Sequence, residues 1–193
     1  RLGSGERRSL VIPQTDVVNV INGGACMDFS YVYAIGQDSH RFESNNDPEK
    51  RNKKLVLGGV DIPGCPGFQA NSDGDVVLHA LTNAISGITC VNILGDIADD
   101  MCKNQGITYS REYLKRALSY LGENKITHVS FSLECKRPIL SSHIPLIRNS
   151  VAEMIAISPN EIGITATSGE GLSDFGRGDG VMVLCAITVC RPL

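Results

Sequence analysis

One stretch of the 193-residue chain constrains its fold more than any other, an apolar pattern of helical period behind a capping turn. Val77, Leu81, Ala84, Ile85 and Ile88 recur at spacings that place their side chains on one face of an α-helix. The preceding Ser-Asp-Gly-Asp segment, residues 72–75, supplies residues that commonly cap a helix start. These signals predict a helix over residues 75–88 that buries one face, so other elements must cover that face.

Other segments alternate between strand and helix patterns. Strands are predicted over 31–35, 55–57, 126–134, 161–167 and 181–189, and helices over 110–122, capped by Ser110, and over 143–155. Segment 62–67 predicts a turn, because glycines and prolines dominate it, and polar segment 43–53 predicts a loop. We therefore expect an α+β fold, a single compact domain over residues 31–193 with a mixed or antiparallel sheet covered by helices.

The N-terminal segment differs from the rest of the chain. Residues 1–30 show no strong amphipathic period, so we expect an N-terminal arm or the remnant of an organelle-targeting extension.

Composition excludes several function classes. The formal net charge of -3 and an aromatic content of 5% argue against nucleic acid as a partner. A membrane span is not expected, since no apolar run approaches the roughly 18 residues it requires. Seven cysteines without a C-x-x-C pair predict free thiols in a reducing compartment.

A carboxylate and two imidazoles form the first candidate site. If the first strand extends to His40, Asp38 and His40 project to the same face, as a metal half-site or as a simple hydrogen-bonded pair. His79 lies on the predicted helix opposite its apolar face, where a histidine is often only solvated. Together the three match the ligand set of a zinc site with an open position, or of a non-haem iron site.

Segment 165–180, rich in hydroxyls and glycines, forms the second candidate site. Its backbone amides and Arg177 can pair with phosphate oxygens, and Glu170 can hold a hard cation such as magnesium. The alternative is a flexible hairpin loop.

Six motifs lie in order along the chain: Gly36-x-Asp38-x-His40-Arg41-Phe42, Leu57-Gly58-Gly59-Val60-x-Ile62-Pro63, Ser72-Asp73-Gly74-Asp75-x-x-x-His79-Ala80-Leu81, Leu94-Gly95-Asp96-Ile97, His143-Ile144-Pro145 and Gly176-Arg177-Gly178-Asp179-Gly180. In order and spacing the chain resembles the 2-C-methyl-D-erythritol 2,4-cyclodiphosphate synthase family over about residues 33–189. The resemblance implies a homotrimer with active sites between subunits. It also implies a lyase of the non-mevalonate route to isoprenoids, which closes 4-diphosphocytidyl-2-C-methyl-D-erythritol 2-phosphate to the cyclic diphosphate and releases CMP.

The resemblance also assigns roles to residues of this chain. Zinc, or another divalent transition metal, would be bound by Asp38, His40 and His79, and magnesium or manganese by Glu170; these four are the candidate catalytic residues. Substrate-binding roles would fall to Ser72 at a phosphate, Asp96 at the erythritol hydroxyls, Lys136 and Pro138 at the cytosine, and Thr167, Ser168 and Arg177 near the cytidine phosphates.

The chain departs from the family pattern at several positions, including residues 99–103, where a Phe-Pro-Asp segment is usual. Asn71 and Asn83 stand where His and Asp are common, Ile139 where Lys is common, and Ser168-Gly169 where a Thr pair is common. The Asn71 and Asn83 changes leave open a catalytically impaired relative that binds cytidine or isoprenoid diphosphates. The two-His, one-carboxylate ligand set leaves open a non-haem iron enzyme. The expected location is the bacterial cytoplasm or the stroma of a plastid or apicoplast.

Overall fold

The computed structural model describes residues 29–44 and 53–193. The predicted arm therefore lies outside the described residues except for its last two positions, as does most of the predicted loop over 43–53. In chain order the elements are β1 (Phe29–Arg41), β2 (Lys54–Leu57), β3 (Val60–Pro66), α1 (Val76–Thr89), α2 (Asp96–Lys103), α3 (Ser110–Leu118), β4 (Lys125–Glu134), α4 (Ile144–Ile155), β5 (Ile162–Thr167), α5 (Asp174–Arg177) and β6 (Gly180–Pro192).

Four strands form the main sheet in the order β1-β6-β4-β5. The β1–β6 and β4–β6 pairs are antiparallel and the β4–β5 pair is parallel, so the predicted mixed sheet and α+β class are confirmed. β2 and β3 form a separate two-stranded ladder. Because β5 is not next to β6, the segment between them does not form the hairpin loop considered from the sequence.

Two sequence expectations about local structure were wrong. Segment 62–67 mostly lies in β3, not in a turn: Ile62 pairs with Leu55 and Pro66 with Lys54, and the register shift between these pairs accommodates Pro63 and Gly64. The sequence also gave no indication of α2, whose eight residues include only one buried side chain, Met101. The helix has only eight residues, four of them charged, which is too short a stretch for a helical period to be recognised.

α1 packs against one face of the main sheet, and a single glycine sets how close it lies. A Cβ atom at Gly36 would lie 2.0 Å from the carbonyl oxygen of Ala80 and 2.3 Å from the amide nitrogen of Ala84. The backbones of β1 and α1 are therefore in direct contact at Gly36. This contact places the end of β1 beside the first half of α1.

Most of the circumference of α1 is buried. Its apolar side chains pack on alternate residues of β6, among them Val183, Cys185 and Ile187. Polar residues of α1 are buried as well, including His79, Thr82 and Ser86. α1 is therefore a central helix and not a surface helix with one solvent-exposed face.

The opposite face of the main sheet carries large exposed side chains. Tyr33 is 74% exposed and Ile35 is 73% exposed on β1, and Tyr31 and Leu184 extend the same surface, here called the open sheet face. Apolar side chains of this size, grouped on one surface, are typical of an interaction surface. None of the helices in the described part of the chain is long and apolar enough to cross a membrane.

The cysteines within the described residues are consistent with the expected free thiols. Six of the seven lie there and all six are free, while Cys26 lies outside. Burial raises the pKa of the Cys135 thiol to about 11, with smaller contributions from Cys65 and Glu134. These thiols are therefore protonated at neutral pH where they are buried.

Candidate metal centre

The structure brings Asp38, His40 and His79 together at one point. Asp38 Oδ2 lies 3.1 Å from His40 Nε2 and 3.0 Å from His79 Nδ1. The two ring nitrogens lie 3.3 Å apart. All three donor atoms lie close enough to share one metal ion. Donor atoms this close repel each other unless a proton or a cation lies between them.

The positions of these side chains follow from the local structure. Asp38 and His40 are two residues apart on β1 and so point to the same side, and β1 does extend beyond His40. His79 lies one turn after Asp75, the residue that caps α1. His79 is 8% exposed, so the expectation that it is only solvated is wrong. The central position of α1, covered on several sides, is the reason.

Asp75 fixes the start of α1 through four backbone amides. Its Oδ1 accepts from Gly58 N at 2.8 Å and from Val77 N and Leu78 N at 3.1 Å, and its Oδ2 accepts from Gly59 N at 2.6 Å. Burial raises the pKa of Asp75 to about 6, although the backbone hydrogen bonds act in the opposite direction. The carboxylate thus ties α1 to the turn between β2 and β3.

Charge at the cluster favours a cation. Burial alone raises the pKa of Asp38, but hydrogen bonds with His40 and His79 outweigh it and lower the pKa to about 2. Asp38 is therefore ionised at neutral pH. One carboxylate oxygen and two imidazole nitrogens, facing an open cavity, fit a divalent metal of the zinc type that keeps one position free for a ligand.

The cluster lies in the wall of a cavity of about 470 Å³. Ser72, expected to bind phosphate, lines this cavity, and its Oγ accepts a hydrogen bond from Gly74 N at 3.1 Å. Asn71 and Asn83 line it too. Asn83 Nδ2 donates to the carbonyl oxygen of Gln37 at 2.9 Å, a bond that an aspartate could not make when ionised. The Asn83 departure therefore adds a β1–α1 contact beside the cluster.

Four of the expected substrate-binding residues lie elsewhere. Lys136, Pro138, Thr167 and Ser168 line a second cavity of about 290 Å³, here called the loop cavity. Ile139 also lines it and is 80% exposed. Within the described residues the loop cavity shares no lining residue with the metal cavity. A single chain therefore does not bring these two groups of residues together.

Three further expected residues line neither of these cavities. Glu170 is exposed in a short 3₁₀ turn with a left-handed backbone, φ 49°. Arg177 ends α5 and forms an ion pair with Asp174. Asp96 starts α2 and lines a third cavity, of about 550 Å³, with Asp100 and Arg116, whereas its neighbour Gly95 lines the metal cavity.

Sequence reasoning missed Ser110 and Asp73 as members of this centre. Ser110 was expected to cap α3, but Tyr109 occupies the cap position and makes no side-chain capping bond. The Ser110 hydroxyl instead lies 2.8 Å from His79 Nε2 and hydrogen bonds to Asp73. The sequence held no signal for the contact with His79, because 31 residues separate the two.

Fold and site together define a class of protein: an α+β domain with a two-histidine, one-carboxylate cluster where a mixed sheet meets its central helix. The model of the YgbB family matches residues 31–190, so the chain belongs to the YgbB family.

Named relatives agree with this assignment. The chain is 50% identical over 160 residues to the 2-C-methyl-D-erythritol 2,4-cyclodiphosphate synthase of Chlamydia felis (strain Fe/C-56), covering 82% of this chain and 89% of that protein. It is 45% identical over 168 residues to the protein of the same name from Chlamydia trachomatis serovar D, covering 85% of this chain and 92% of that protein. The resemblance stated from the motifs is thereby confirmed.

Solved structures agree on the fold. A 2C-methyl-D-erythritol-2,4-cyclodiphosphate synthase structure aligns with a TM-score of 0.68 at 28% identity, over 82% of this chain and 99% of that chain. The bifunctional IspDF from Campylobacter jejuni aligns with a TM-score of 0.74 at 27% identity, over 84% of this chain and 43% of that chain.

Proposed function

We propose that the chain is an enzyme with the activity for which its relatives are named, the formation of 2-C-methyl-D-erythritol 2,4-cyclodiphosphate. The substrate is 4-diphosphocytidyl-2-C-methyl-D-erythritol 2-phosphate, and CMP is released. The activity is that of a phosphorus-oxygen lyase in the non-mevalonate route to isoprenoids. The observation that carries the proposal is the meeting of Asp38, His40 and His79 in a chain 50% identical to a named synthase.

The chemistry requires no nucleophile from the protein. An oxygen of the substrate's own 2-phosphate attacks the β-phosphorus, the bond from that phosphorus to the oxygen shared with the α-phosphate breaks, and CMP leaves with the electron pair. The protein has to hold the two phosphates in line and balance the charge that develops on them. Buried, preorganised donors and ionised side chains are suited to both tasks.

Asp38, His40 and His79 would hold the first metal. Zinc, or another divalent transition metal, would supply a Lewis acid for a phosphate oxygen when bound there. Ser72 and Asn71, in the same cavity wall, would orient that phosphate through hydrogen bonds. Glu170 would hold the second cation, magnesium or manganese, which prefers oxygen ligands.

The loop cavity would hold the CMP part of the substrate. Lys136 and Pro138 would contact the cytosine, and Thr167 and Ser168 would hydrogen bond to the cytidine phosphates, with Arg177 nearby. Asp96 would contact the erythritol hydroxyls. The exposed hydroxyls of Thr167 and Ser168, next to the amide-rich turn at Gly169–Gly171, support this placement.

A homotrimer with active sites between subunits would unite the metal cavity of one chain with the loop cavity of the next. Two observations support it. The open sheet face presents large apolar side chains, and Leu172, two residues after Glu170, is 88% exposed. Association would cover both and bring Glu170 towards a neighbouring metal cavity.

We place the enzyme in the bacterial cytoplasm, since the named relatives come from Chlamydia species. The stroma of a plastid or apicoplast gains no support from them. Nucleic acid and membranes are not part of the proposed function.

The decisive experiment measures CMP release from the diphosphocytidyl substrate by chromatography, with and without chelation of the metal, together with metal analysis. Chelator-sensitive CMP release with formation of the cyclic diphosphate would support the proposal. Tight CDP binding without release would favour the catalytically impaired relative. Iron in place of zinc would favour the non-haem iron alternative, and neither binding nor release would refute the assignment.

A further inference from the structure

We propose that Asp73 and Ser110 act as positioning residues that fix which ring nitrogen of His79 faces the metal. The inference rests on the proposed metal centre. Neither residue is one of the proposed metal donors. Both lie behind the His79 ring, on the side of Nε2.

The contacts form a closed chain of hydrogen bonds. Ser110 Oγ lies 2.8 Å from His79 Nε2 and within hydrogen-bond distance of Asp73 Oδ1. The Ser110 side chain is fully buried, so water cannot replace either partner.

Asp73 is itself held in place by the backbone. Its carboxylate accepts from Ser110 N at 3.1 Å and 3.2 Å and from Asp75 N at 3.2 Å. Its own amide donates to the carbonyl oxygen of Thr108 at 2.8 Å. Asp73 thus joins the start of α3 to the turn before α1, and the position of Ser110 relative to His79 is fixed by both helices.

The direction of each bond follows from counting hydrogens. An ionised carboxylate can only accept, so the single hydroxyl hydrogen of Ser110 is donated to Asp73. Ser110 Oγ then has only lone pairs left for His79, and Nε2 must carry the hydrogen that it donates. When a cation takes the place of the hydrogen that Nδ1 shares with Asp38, the neutral ring keeps its hydrogen on Nε2 and Nδ1 has a lone pair for the metal.

Nδ1 is also the ring nitrogen that faces the cluster. His79 Nδ1, not Nε2, lies near Asp38 Oδ2 and His40 Nε2. The relay from Asp73 through Ser110 thus selects the tautomer that can bind a metal and holds the ring in the orientation that the cluster needs. Partners of this kind behind a ligating histidine typically raise metal affinity.

The test measures zinc affinity by chelator competition in the full chain and in three variants. Ser110→Ala should weaken zinc binding by about 10- to 100-fold. Ser110→Thr keeps the hydroxyl and should retain most of the affinity. Ser86→Ala is the matched control, because Ser86 is a buried serine on α1 whose hydroxyl oxygen accepts a hydrogen bond from Ile93 N. It should bind zinc as the unchanged protein does.

A second measurement gives a result even if no variant folds, because its main readout comes from the unchanged protein. Nitrogen-15 NMR of the histidine rings in the zinc-loaded, unchanged protein should show His79 bound through Nδ1, with a slowly exchanging hydrogen on Nε2. In Ser110→Ala that hydrogen should exchange faster, since its acceptor is gone.

The outcomes separate the relay from the metal centre. Zinc bound to Nε2 of His79, or equal zinc affinity in Ser110→Ala and the unchanged protein, would overturn the relay and leave the metal centre standing. Failure of the unchanged protein to bind zinc would overturn the metal centre itself.

Discussion

The metal cluster and the loop that carries Glu170 differ in how far a single chain organises them. Asp38, His40 and His79 are half-buried or buried and are linked to each other, to Ser110 and through it to Asp73. Glu170 is exposed, and its loop is held mainly at its base, where Ser173 hydrogen bonds to Glu134. The proposed metal site is therefore preorganised within one chain, whereas the proposed second site would need a partner surface or a ligand to complete it.

Removing one of the proposed metal ligands should disrupt the metal cluster more than any other change. His79→Ala should abolish zinc binding and lower turnover on the order of 1,000-fold, because a metal supplies several kcal/mol of charge stabilisation in the transition state. Metal analysis and CMP release would measure both. Oligomeric state should not change, since His79 lies on α1, on the other side of the main sheet from the open sheet face. Retained zinc would refute its role as a ligand.

Preventing the chains from associating should disable the proposed Glu170 site while sparing the metal cluster. Ile35→Asp places a charge on the open sheet face, where desolvation in an interface is costly. We expect dissociation to monomers in light scattering and a large loss of turnover with zinc binding retained. Tyr120→Asp, at an exposed aromatic outside this face, is the control. A trimer that survives Ile35→Asp at low concentration would argue against the interface.

A smaller effect should follow from neutralising the exposed carboxylate. Glu170→Gln keeps the shape of the side chain but removes the charge that would hold magnesium. We expect about 100-fold lower turnover at limiting magnesium, partly recovered at high magnesium, and unchanged zinc content. Equal magnesium dependence in the variant and the unchanged protein would remove Glu170 from the second metal site.

The smallest effect is expected from Asn83→Asp, at the edge of the metal cavity. The change replaces an N–H donor by an ionised oxygen facing the carbonyl of Gln37. We expect a loss of about 1 kcal/mol in the free energy of unfolding, measured by urea titration. Asn83→Ala, which removes the hydrogen bond without adding charge, should lose less; a more stable Asp variant would show that the bond matters little.

Local periodicity explains which parts of the fold and site were predictable. β1 and α1 follow the two- and 3.6-residue repeats closely, so the positions of Asp38 and His40 on one face could be inferred from the sequence. β3 was missed because its proline and glycine, which a bulge accommodates, indicate a turn in the sequence. α2 was missed because eight residues, four of them charged, are too few to show a helical period.

The rest of the site depends on tertiary packing, which local sequence patterns do not indicate. His79 lies on the polar side of α1, and that side is buried because α3 and the cavity wall cover it. Ser110 has the sequence context of a helix cap, yet its hydroxyl serves His79 and Asp73 instead. The separation of the metal cavity from the loop cavity likewise follows only from the assembled sheet.

Gly36 has a consequence for metal preference. The absence of its side chain lets β1 approach the backbone of α1, and each of these elements carries part of the proposed ligand set. An alanine there would wedge strand and helix apart and widen the gap between Asp38 and His79. In the proposed metal site, the spacing between donor atoms would thus depend on a residue that supplies no donor itself.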